Sequence, residues 1–254
     1  MMRKFGLFVV TATLSCSVLA NAYPELDREP VDPFHTAFLK RQVDQNMSVG
    51  RAIRSIGSHY PQEMVAIVDV ALDTYPESYR EIIHAAISSQ PASTEDIVKL
   101  AIDKGVASCT AIVEMAINAE PSYVDFVVQA AANSTPEDLD EIVRIAVLTE
   151  PDSADSIVQT LSRGHPNKII EILTTALNAV PYVGEYVVDS LLAVFPEQAD
   201  EVVGTAVMQS SGQREQVLRI LETAQNAGMS EDKLREYAAQ AGVTSEEIAA
   251  VISD

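Results

Sequence analysis

The sequence predicts an all-α protein built as a two-layer α-solenoid, a superhelix of short antiparallel helices with one helix per fifteen residues. Three observations carry that expectation. Proline stands at 61, 76, 91, 121, 136, 151, 166, 181 and 196, every step a multiple of fifteen, with Val106 in the one vacant place. Counted from each proline as position zero, positions six and seven are aliphatic in every unit, from Ile67-Val68 to Val202-Val203, and position ten is always Ala or Leu. Glutamate recurs at position five of the units starting at 76, 136, 166 and 196, while the intervening units carry Ala66, Asp96, Phe126, Ser156 and Tyr186 there. That alternation doubles the period to thirty and calls for two layers.

Residues 1–22 read as a secretory signal peptide. Arg3 and Lys4 form the basic start, Phe5 to Leu19 the apolar stretch, and Ala20-Asn21-Ala22 a cleavage site before Tyr23. A lipoprotein modified on Cys16 is the rival reading, but Thr13 stands where a lipobox usually has Leu. A signal peptide with no anchor implies export, to the periplasm or out of the cell. Residues 23–33 (YPELDREPVDP), rich in proline and acids, form a linker. Residues 34–60 are expected as an N-terminal helical cap with the first units, since Ala52, Ile53 and Ile56 fit a unit starting at Asn46.

From 61 to 225 the repeat itself sets the structure. Apolar residues at positions three, six, seven, ten and eleven make the stripe of an amphipathic helix, and no period-two alternation competes with it. Proline suits the first turn, where its missing N–H has no intrahelical partner, and it turns the preceding residue away from the α region. Ser78 with Glu81, Ser93 with Asp96, and Ser122 with Asp125 are expected as cap-and-acid pairs. Residues 226–254 form two further helices, Glu231 to Gln240 and Ser245 to Ile252, with Thr244 as cap; this pair is the expected C-terminal cap.

This plan resembles the α-solenoid class, the HEAT, armadillo and tetratricopeptide architectures, over about two thirds of the chain. The resemblance is one of plan only. The unit is shorter than usual, and the tetratricopeptide Trp/Gly/Tyr signature is missing from a chain with no Trp.

Classical catalytic and cofactor motifs are missing, so the expectation is a non-enzyme without cofactor or bound metal. With 37 acids against 17 bases the net charge is −20, and removing Arg3 and Lys4 makes it −22. That balance disfavours nucleic acid and anionic membranes as partners. No other segment is long and apolar enough for a membrane span. Two surfaces are candidates for binding a protein partner. Glu77, Glu81, Glu137, Glu141, Glu171, Glu197 and Glu201 should line up as an acidic ridge on one layer, suited to a basic partner or, alternatively, to divalent cations or a cationic ligand. Phe126 and Tyr186 lead a set of aromatics, with Tyr123, Tyr182 and Phe195, that lie mostly off the invariant stripe. Cys109, at position three, reads as a small buried hydrophobe or as the site of an intermolecular disulfide.

Overall fold

The computed structural model describes residues 33–45 and 48–253. The expected signal peptide and nearly all of the expected linker lie outside the described residues. Fifteen α-helices and no strand are found among the described residues. The first four are α1 (Pro33–Asp44), α2 (Val49–Gly57), α3 (Met64–Thr74) and α4 (Tyr79–Ser89). Next come α5 (Thr94–Asp103), α6 (Cys109–Ala119), α7 (Val124–Ser134) and α8 (Leu139–Thr149). They are followed by α9 (Ala154–Gly164), α10 (Ile169–Ala179), α11 (Gly184–Val194) and α12 (Ala199–Gln209). The chain closes with α13 (Arg214–Asn226), α14 (Glu231–Gln240) and α15 (Ser245–Ser253).

Two layers result, as the thirty-residue period requires. Even-numbered helices pack in series from α2 to α14, odd-numbered ones from α1 to α15, and nearly every helix also touches its successor in the other layer. The seam between layers is the repeat's invariant set. Ile82, Ile83 and Ala86 of α4, Ile112, Val113 and Ala116 of α6, and Ile142, Val143 and Ala146 of α8 are all fully buried. Alanine at position ten lets the facing helix approach, so the aliphatic pair of one layer fills the space beside the small residue of the other.

The nine prolines stand at the helix starts, as expected, but the turn they open replaces the expected serine caps. Each opens a three-residue 3-10 turn that leads into its α-helix. At the α3–α4 junction, the Tyr75 amide donates to the Ala71 carbonyl at 2.8 Å, and the Ser78 amide donates to the Tyr75 carbonyl at 2.9 Å. Ser78 (φ −97°, ψ 14°) and Ser93 (φ −98°, ψ 10°) then lie near the bridge region, not in the extended conformation a cap needs, and neither makes a capping hydrogen bond. Ser122 donates to the Glu120 carboxylate instead. The three expected cap-and-acid pairs therefore do not form.

True serine caps occur where proline is missing. Ser48 Oγ accepts the Arg51 amide and Ser108 Oγ accepts the Ala111 amide, each at 3.3 Å. Upstream of Ser108, α5 ends on Gly105 at φ +61°, with the Gly105 amide on Ile102 O and the Val106 amide on Ala101 O. This is a Schellman stop, which needs the left-handed conformation that glycine adopts without penalty. The vacancy at Val106 is thus a change of punctuation with the period intact. Gly228 and Gly242 end α13 and α14 in the same way, and Thr244 caps α15, its Oγ1 accepting the Glu247 amide.

Candidate functional surfaces

The seven expected ridge glutamates are all exposed, and all belong to the even layer or to the 3-10 turns entering it. The row is interrupted at α6, where Ala111 takes the glutamate's place between α4 and α8. Two members are already paired with a cation three residues away along the chain. Arg144 Nη2 lies 2.6 Å from Glu141, and Lys168 Nζ lies 3.0 Å from Glu171. The Arg144 hydrogen bond holds the Glu141 carboxyl below its ordinary range, and Lys168 does the same for Glu171. Asp140 of α8 shares a hydrogen bond with Glu171 of α10; partial burial, followed by that bond, pushes its carboxyl up. The sequence reading did not single out Asp140, although its place beside Glu141 in α8 was the available signal. Among the described residues no group of three or more His, Cys, Asp or Glu is arranged to hold a metal ion.

The odd layer carries the aromatics. Phe126 (45% exposed), Tyr182 (61%) and Tyr186 (59%) stand out from α7 and from the start of the α11 unit, while Tyr123 and Phe195 are half-buried. Tyr123 packs against Phe126 with ring centroids 5.4 Å apart. Tyr182 stands in the 3-10 turn entering α11 and Tyr186 on α11 itself, four residues on. The structure does not gather the five into one cluster: α9 separates Phe126 from the tyrosine pair, and it presents Ser156, whose hydroxyl donates to Asp125 at 2.5 Å.

Two grooves accompany these surfaces. One, of about 360 Å³, lies between the ends of α7 and α9. The other, of about 300 Å³, lies where α14 meets α12 and α13, and its charges are matched: Lys233 Nζ is 2.6 Å from Asp200 Oδ2. Cys109 is half-buried and accepts the Thr135 hydroxyl at 3.1 Å; burial raises its thiol, against that bond, so the protonated form is favoured. No helix among the described residues is long and apolar enough to cross a membrane. No family model, curated protein or solved structure matches this chain.

Proposed function

We propose that this protein is an exported, non-enzymatic helical-repeat module that binds another protein or scaffolds an assembly in the cell envelope or outside the cell. The observation that carries this reading is the exposure of Phe126, Tyr182 and Tyr186 on the odd layer of a repeat whose invariant aliphatic positions are buried. Large aromatics bring much contact area at low entropic cost, and they dominate the energetics of protein interfaces. Stacked helices also present an extended face, which suits a partner surface better than a small substrate. Export rests on residues 1–22 of the sequence. The test is cross-linking in the exported fraction, comparing the native chain with a Tyr182→Ala/Tyr186→Ala double variant. A defined partner that is lost or strongly reduced in the variant supports the reading. Repeated absence of any cross-linked protein overturns it.

Divalent-cation binding on the glutamate ridge is the second reading, supported by the Asp140–Glu171 approach between α8 and α10. Calcium titration against melting temperature decides it, and no shift at millimolar calcium removes it.

A further inference from the structure

The two ends of the array carry opposite charge. The first two helices hold Lys40, Arg41, Arg51 and Arg54 against Asp44 alone, all of them exposed, and no later helix has more cations than carboxylates. At the other end, α14 and α15 hold Glu231, Asp232, Glu236, Glu246 and Glu247 against Lys233 and Arg235. Arg51 stands at the repeat position that α4, α8, α10 and α12 fill with Glu81, Glu141, Glu171 and Glu201, so the ridge changes sign at its start.

Inside the array, neighbouring helices of one layer are tied by a cation on one and a carboxylate on the other. Lys104, just past α5, lies 2.6 Å from Asp69 of α3, Arg219 of α13 lies 3.8 Å from Glu185 of α11, and Lys233 of α14 lies 2.6 Å from Asp200 of α12. Arg214 of α13 and Glu247 of α15 form a fourth tie. Among the described residues, α2 has no even-layer helix before it and α14 has none after it. Gly50 of α2 faces α4, where an added Cβ would fall 3.2 Å from Ala85, so Arg51, one residue on, turns about 100° away from that contact. Lys233 and Tyr237 face α12, so Asp232 turns away from it by about the same angle. The cations of α1 and α2 have no carboxylate within ion-pair distance among the described residues, and Asp232, Glu236 and Glu246 have no cation. Arg80, Lys99 and Arg163 are unpaired too, but each stands singly on a helix with at least as many carboxylates. The two ends thus hold the two halves of the tie that joins helices within the array. Polar ends of any sign keep a solenoid soluble. Ends of opposite sign also attract each other and repel their own kind.

We infer that copies of this chain associate head to tail, the α1–α2 end of one against the α14–α15 end of the next, with Arg51 and Arg54 facing Asp232 and Glu236. A contact between two different patches leaves a free patch at each end, so it propagates as a ring or a filament. The inference rests on the reading of the protein as an interaction or scaffolding module and names a second copy as its partner. Sedimentation velocity over a dilution series of the purified chain tests it. The native chain should gain mass with concentration at low salt and return to monomer at about 1 M salt, where the Debye length is about 3 Å. Arg51→Glu/Arg54→Glu and Asp232→Lys/Glu236→Lys each leave the two ends of one chain alike in sign. Either variant alone should associate at least about tenfold more weakly than the native chain, with circular dichroism unchanged. Mixed one to one, they should associate again in alternation, because every end then meets its opposite. A native chain that stays monomeric at low salt, reversals that leave association unchanged, or a mixture no more associated than its parts overturns the inference. Phosphatidylglycerol vesicles that bind the native chain but not Arg51→Glu/Arg54→Glu, without self-association, would assign the basic end to a lipid surface and also overturn it. If the tyrosine-dependent partner persists while the chain sediments as a monomer, the interaction reading stands and this one falls.

Discussion

Lys104 reaches back from the end of α5 to place its ammonium 2.6 Å from Asp69 Oδ1 on α3, with Asp73 of the same helix as its second partner. Its side chain is only 5% exposed, and it sits at the one internal junction where the proline series lapses. The pair therefore ties neighbouring odd-layer helices together where the chain's punctuation changes. Lys104→Met should cost about 1–3 kcal/mol: the buried stem is kept, but Asp69 and Asp73 lose the cation between them. Urea denaturation read by far-ultraviolet circular dichroism checks this, and a midpoint equal to the native one would count against it.

Serine caps a helix only where proline is missing. Ser108→Ala should destabilise by about 1 kcal/mol, while Ser78→Ala, which removes no capping bond, should stay within about 0.5 kcal/mol of the native chain. Gly105→Ala should cost about 1 kcal/mol or more, because alanine is strained at φ +61°. Amide hydrogen exchange in α5 and α6 reads these effects locally. Equal effects at Ser78 and Ser108 would contradict the two kinds of junction.

The seam should tolerate neither loss nor gain of volume. Ile142→Ala removes fully buried atoms and should cost about 2–5 kcal/mol. Ala146→Leu adds bulk at an equally closed point and should cost about 1–3 kcal/mol. Thermal melts of the two variants provide the comparison; a neutral Ala146→Leu would mean the layers are not in close contact at position ten.

Acid should loosen the last helix first. Arg214 hydrogen-bonds Glu247, which also accepts the Thr244 amide at 2.9 Å, and these bonds hold its carboxyl down at about 2. A depressed carboxyl stabilises the folded state fully above its ordinary value of 4.5 and loses that contribution as pH falls toward 2. Exchange protection in α15 should therefore decline between pH 4.5 and 2, and Glu247→Gln should flatten that decline. A decline of the same size in the variant would assign it to other groups.

Residues that repeat were legible in the sequence because repetition makes a weak local signal strong. A lone Ile-Val pair says little, but the pair recurring every fifteen residues placed the core, and the alternating glutamate placed the two layers. The helix starts were legible but the serine caps were not, since a Ser followed by an acid looks like a cap until the backbone between them is known. Proline had already committed those residues to a 3-10 turn, in which the serine hydroxyl cannot reach the amide it would cap. The ridge residues fell on one layer as the alternation required, though Ala111 foretold the break between α4 and α8. The α7–α9 groove was hidden for the opposite reason: Ala132 and Gly164 line it with little or no side chain, and a list of apolar positions passes over them.

Each helix takes its principal contacts from its two nearest neighbours in either direction, so the length of the array is not fixed by its ends. A gene segment encoding thirty residues could be duplicated or deleted between α3 and α12, and every remaining helix would still find a partner of the right layer on both sides. Fifteen residues could not, because the chain would emerge on the wrong face. Growth by pairs, in steps set by layer parity, is the kind of variation this architecture leaves open.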